Sequence, residues 1–104
     1  MANYVLLFHG GRAPQTDAER DAILAKWGQW YGRLGAAVVD DGNPFTSSAT
    51  VAADGTVADG PSSDLTGYAI ISAGDLNAAA GMTKGCPILA DGGSIEVHEI
   101  HNAM

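Results

Sequence analysis

Asn3-Tyr4-Val5-Leu6-Leu7-Phe8-His9 is the stretch that decides the fold. Successive side chains of a strand point to opposite faces. Here both faces are apolar, which is the pattern of a strand inside a sheet rather than at its edge. Gly10-Gly11 ends the run. Leu65–Ala73 has the same two-sided apolar character. Two interior strands require edge strands beside them and a layer above them, and the rest of the chain supplies candidates for each.

Between these runs, Thr16-Asp17-Ala18-Glu19 has capping-box spacing: the Thr16 hydroxyl accepts from the Glu19 amide and Glu19 reaches back toward the cap. The helix is expected to run to about Leu34, with Gly35 as its stop. Ile23, Trp27, Trp30 and Leu34, with Leu24 and Tyr31 beside them, form one apolar face wide enough to cover a sheet. Gly28 and Gly32 weaken that helix, and the expected reason is close approach of another backbone. Ala36–Asp40 reads as a short second strand, broken by Asp41-Gly42-Asn43-Pro44. Ala49–Ala53 and Thr56–Ala58 flank Asp54-Gly55, a strong hairpin signal. Asp59-Gly60-Pro61 turns the chain again. Asp75–Lys84 is an Ala-rich second helix, with Leu76, Ala79, Ala80 and Thr83 on one side, ended by Gly85 and Pro87. Asp91-Gly92-Gly93 leads into a last strand, Ser94–Ile100.

The order is βαββαβ with a small hairpin inserted, the split pattern of a ferredoxin-like α+β fold in one domain spanning residues 1–104. Both helices then lie on one face of an antiparallel sheet. Strands apolar on both sides cannot leave the other face in water, so a twofold-related copy is expected to cover it.

Composition narrows the partners. The formal charge is −7 at pH 7 with only five Lys and Arg. Nucleic acid needs a basic stripe and anionic membrane surfaces need basic clusters, so neither is an expected partner. The single cysteine, Cys86, excludes an intrachain disulfide, and nothing at the N-terminus reads as a signal peptide. A reducing cytoplasm is the expected home.

The chain has no phosphate-binding loop, dinucleotide fingerprint or nucleophile elbow, and no cofactor is expected. His98 and His101 are three apart, a poor metal pair, so no metal is expected either. His9 ends an apolar strand beside a Gly-Gly turn, where pockets open. Asp40 and Asp59 are the carboxylates expected to assist it in proton transfer. Trp27, Trp30, Asn43 and His98 are expected to shape a substrate pocket.

Tyr4-Val5-Leu6-Leu7-Phe8, Trp27 with Trp30, Gly42-Asn43-Pro44-Phe45, Asp59-Gly60-Pro61, Leu65-Thr66-Gly67-Tyr68, Lys84-Gly85-Cys86-Pro87 and Gly92-Gly93-Ser94-Ile95-Glu96-Val97 resemble, in order and spacing, the YCII-related domain family, in its branch with a DGP-type (DGPF-like) motif. The resemblance covers nearly the whole chain. It implies a ferredoxin-like subunit in a dimeric α/β barrel, a scaffold that includes cofactor-independent lyases and isomerases. Some members carry a proposed His–Asp pair with the histidine on the first helix. Residues 16–34 contain no histidine, so that pair has no counterpart here, and Ser62 stands where the branch often has Phe. Genes of this branch often neighbour those of alternative sigma factors. Two functions are therefore expected: a small-molecule lyase or isomerase with His9 as acid/base, or a non-catalytic binding or regulatory module.

Overall fold

The computed structural model describes residues 1–102. Four strands form the main antiparallel sheet: β1 (Ala2–His9), β2 (Val38–Pro44), β5 (Leu65–Ala73) and β6 (Ser94–Glu99), in the order β2-β5-β1-β6. β3 (Ala49–Val51) and β4 (Val57–Asp59) make a separate two-stranded hairpin. Three helices complete the chain: α1 (Asp17–Leu34), α2 (Leu76–Met82) and the short α3 (Pro87–Ala90). The result is an α+β architecture compatible with a ferredoxin-like fold.

The two-sided apolar strands are the central pair. β1 and β5 run side by side from Ala2↔Ala73 to Phe8↔Gly67. This register puts Tyr4, Leu6 and Phe8 on the same face as Ala69, Ile71 and Ala73, all buried. Trp30, Ala79, Cys86 and Ile88 close the core from above. Trp30 is only 1% exposed and its indole N–H donates to the Met82 carbonyl at 3.2 Å, which satisfies the polar atom that burial would otherwise penalise.

Helix α1 starts as its sequence requires. The Glu19 amide donates to Thr16 Oγ1 at 3.0 Å, and the Glu19 carboxylate accepts from the Gln15 amide, one residue before the cap, at 2.8 Å. Gly35 ends the helix with φ +58°. Helix α2 is shorter than its pattern suggests, and its inward residues are Ala79, Met82 and Thr83, while Leu76 is 51% exposed. Pro87 opens α3 at its first turn, where a missing N–H costs nothing.

Strand β2 departs most from expectation. Gly35–Ala37 forms a 3-10 turn, and the strand then continues through residues 41–44 instead of breaking there. Register shifts against β5 allow this. Gly42, at φ +63°, lets the backbone cross Tyr68 so closely that a Cβ would fall 1.7 Å from the Tyr68 carbonyl oxygen. At Gly28 and Gly32, by contrast, a Cβ would meet nothing within 4 Å, so no backbone of this chain approaches them.

The slab measures 44 × 41 × 19 Å, with a radius of gyration of 15.1 Å. A compact single domain of this length has a radius of about 13 Å. The excess reflects one sheet layer covered on one side and a hairpin standing off it.

The two glycine environments predict opposite outcomes. Gly28→Ala should raise the unfolding free energy by about 0.5–1 kcal/mol. Gly42→Ala should lower it by about 2–5 kcal/mol, from the strained backbone and the overlap with Tyr68 together. Urea titration of both variants checks this; a neutral Gly42→Ala would contradict the β2–β5 crossing.

Candidate functional site

Helix α1 carries aromatic residues at Trp27, Trp30 and Tyr31, spaced three and four apart so that they share a face. Phe8 meets Trp27 edge-on with ring centroids 5.1 Å apart, and Trp27 meets Trp30 edge-on at 5.8 Å. Across the end of the sheet, Phe45 stacks on Tyr68 at 6.0 Å with planes only 14° apart. The C-terminal half of α1 is seated on the sheet through Trp30. Its N-terminal half is not, since Ile23 is half-buried and Leu24 is 60% exposed.

The space left is a cavity of about 660 Å³, bounded by the N-terminal half of α1, residues 10–14, and the ends of β2 and β5. Five of the seven aromatic residues border it: Phe8, Trp27 and Tyr31 on the helix-covered face, and the stacked pair Phe45 and Tyr68 at the end of the sheet. Ile23, Leu24, Pro44 and Ile88 add aliphatic surface, while Arg12, Arg20, Asp41, Asn43 and Asp91 supply polar groups. A pocket of this volume with a mostly apolar lining and a few polar groups is the form small-molecule sites take. Burial is the first cause, and the nearby Cys86, Asp41 and Asp40 the lesser ones, that push the Tyr31 phenol up to about 12. It stays a neutral donor, and its hydroxyl is spent on the Asp41 carbonyl at 3.0 Å.

His9 lies elsewhere. It shares the opposite face of β1 with Val5 and Leu7, as the burial alternation of the strand requires. Its Nδ1 lies 2.6 Å from Asp64 Oδ1 and its Nε2 is in contact with Glu96 Oε2. The second Glu96 oxygen accepts from His98 Nε2 at 3.0 Å. Ionised carboxylates only accept hydrogen bonds, so a carboxylate at each ring nitrogen favours the doubly protonated form of His9. The Asp64 hydrogen bond is the first cause of a raised His9 pKa; desolvation opposes it, and Glu96 adds to it. Glu96 is held below the usual carboxylate range, first by His98 and then by His9. The carboxylate partners of His9 are thus Asp64 and Glu96, not Asp40 or Asp59.

The remaining expected residues separate in the same way. Asp40 accepts from the Gly42 amide at 2.8 Å and from the Tyr68 hydroxyl at 3.2 Å, so it braces β2 against β5. Asp59 ends β4 in the hairpin, opposite Ala49. Trp27 and Asn43 line the cavity. Trp30 sits beneath it in the core, and His98 is on the far side of the sheet with Glu96. Asp64 and Glu96 gave no local signal: they meet His9 only through the β1–β6 register and the loop before β5. Phe45 and Tyr68 stood within short motifs, but their stacking depends on the irregular β2 register.

Cys86 is 2% exposed, and burial pushes its thiol up to about 11, so it is an inert core group at neutral pH. Among the described residues no group of three or more His, Cys, Asp or Glu side chains is placed to hold a metal ion. Among the described residues no helix is long and apolar enough to cross a membrane.

The His9 clip has a defined pH window. A raised folded pKa means its contribution is complete below about pH 6.5, the unfolded value of histidine, and drains away as pH rises through the folded value. The lowered Glu96 pKa means its own contribution is present above the ordinary carboxylate value and is lost as pH falls through the lowered one. Unfolding free energies of the wild type and His9→Gln, measured from about pH 5 to 9, should converge as pH rises through that range. A difference independent of pH would remove the imidazolium from the account.

Comparison with protein-family models, with curated proteins and with solved structures gave no match.

Proposed function

We propose that this chain is a small-molecule-binding protein of the dimeric α/β barrel type, with a ferredoxin-like subunit, and that its ligand site is the aromatic cavity under α1. The observation that carries this is the gathering of five of the seven aromatic residues at the border of one space of about 660 Å³. A folded chain with a small core gains most by packing such side chains on one another. Leaving them around open space has a stability cost that ligand binding offsets.

Pairing with a second copy is supported by three features. The uncovered sheet face carries Val5, Leu7 and Ile70 at its centre. The hairpin stands apart with Val51 and Val57 about two-thirds exposed, although a lone two-stranded hairpin is marginal in water. The molecule is also thinner and wider than a self-contained domain of its length. One identical partner laid on the open face supplies cover for all three. Light scattering after size exclusion should give twice the chain mass, and Leu7→Glu should give a folded monomer. A wild type monomeric at micromolar concentration would sink the pairing.

Binding is favoured over catalysis because both His9 nitrogens are engaged by carboxylates and the residue is not part of the cavity wall. The reading as a cofactor-independent lyase or isomerase draws on the same His–carboxylate contact and requires that clip to open.

Trp27 in the cavity wall reports occupancy. Titration with 2-naphthylmethanol should change tryptophan emission saturably, and Ala13→Trp, which fills the cavity from its exposed loop, should abolish the change while the fold is retained. Emission that varies only linearly with the alcohol, or saturates unaltered in Ala13→Trp, would place binding elsewhere.

A further inference from the structure

We infer that the cavity selects flat aromatic molecules bearing a single carboxylate, with Arg12 and Arg20 as the anion-binding pair; this rests on the cavity being the ligand site. The chain has twelve acidic and five basic residues. Two of those five line this cavity, and both are arginines. Guanidinium is planar, presents paired donors that match a carboxylate, and lies comfortably against aromatic faces. An arginine beside rings is therefore suited to a ligand that is itself a ring with a carboxylate.

Both side chains are available. Arg12 makes no hydrogen bond or ion pair among the described residues, and it follows Gly10 and Gly11, whose φ values of +68° and +91° turn the chain out of β1 toward α1. Arg20 is only loosely engaged, 3.6 Å from Asp17 and 3.7 Å from Asp21, longer than hydrogen bonds and between exposed side chains. Sequence order puts both on the same wall, the segment running from the end of β1 into the first turns of α1.

The acidic groups of the lining set the limit to one charge. Asp41 is on β2 and Asp91 follows α3, so each approaches from an element other than the arginine wall. A second anionic group on the far side of the ligand would meet them without a cation to offset the repulsion. The aromatic side chains hold the body of the ligand, the arginines hold one end, and the carboxylates exclude a dianion.

Four probes of matched shape test this by tryptophan emission and calorimetry: 2-naphthoate, 2-naphthylmethanol, 2-naphthylmethylammonium and naphthalene-2,6-dicarboxylate. The expected order puts 2-naphthoate at least tenfold tighter than the alcohol, with the ammonium and the dicarboxylate weaker than 2-naphthoate. In Arg12→Gln, with its fold checked by circular dichroism, the ratio of naphthoate to alcohol affinity should collapse toward one. Equal affinities for naphthoate and alcohol in the wild type, tightest binding of the ammonium, or an unchanged ratio in Arg12→Gln would each overturn the anion assignment while leaving the cavity as a binding site. A dicarboxylate that binds as tightly as the monocarboxylate would overturn the single-charge limit. Saturable binding of none of the four would overturn the cavity site itself, and the anion assignment with it.

Discussion

The pairing of β1 with β5 governs everything else in the molecule. These are the two strands with apolar side chains on both faces, and they lie together at the middle of the sheet. Their register sets Tyr4 opposite Ile71, Leu6 opposite Ala69 and Phe8 opposite Gly67, all on one buried face. Trp30 packs into this core edge-on to Phe8 and donates to the Met82 carbonyl, and the helix that carries it is thereby fixed at one point. A slip of one residue would send each of these groups to the other face. The core, the seat of α1 and the gap beneath its N-terminal half all follow from that one alignment.

The same pairing creates two unlike surfaces. The upper face is sealed by helices at one end and opens into the aromatic cavity at the other. Among the described residues, the helices pack on the upper face, and Val5, Leu7 and Ile70 of the lower face remain partly exposed. The lower face is apolar at its centre and polar toward the edges, where Asp40 meets Tyr68 on one side and His9, Glu96 and His98 meet on the other. Polar groups that bond one another within the face keep the sheet edges satisfied without bringing water over Val5 and Leu7. Such a face suits a second copy better than it suits bulk solvent.

The parts of this fold legible in the sequence are those set by local physics. The two-sided apolar runs gave β1 and β5 nearly to the residue, Thr16 and Glu19 marked the start of α1, and Asp54-Gly55 gave the hairpin. The parts that depend on alignment between distant segments were not legible. Residues 41–44 contain Gly, Asn and Pro, which locally signal a break, yet the close crossing at Gly42 and the bulges against β5 keep them in the strand. Pro87 was read as a stop for one helix and is the first residue of another. His9 was recognisable as a site for a carboxylate. Which carboxylate depends on the β1–β6 register and on the course of a loop, and no spacing in the sequence encodes either.

The His9 clip and the cavity lie on opposite sides of the sheet, yet they share a hinge. The Gly10 amide donates to the Asp64 carbonyl at 3.0 Å, one residue beyond the side-chain bond between His9 and Asp64. That paired contact ties the loop before β5 to the point where β1 gives way to residues 10–14, the wall that carries Arg12. Two left-handed glycines follow immediately, so the chain has little stiffness of its own there. Without the clip, the position of Arg12 would be set only by the capped start of α1. The His9–Asp64 contact, beside the Gly10–Asp64 backbone bond, therefore ties the start of the cavity wall to the loop before β5. This accounts for a histidine at the end of an otherwise apolar strand without asking it to touch a ligand.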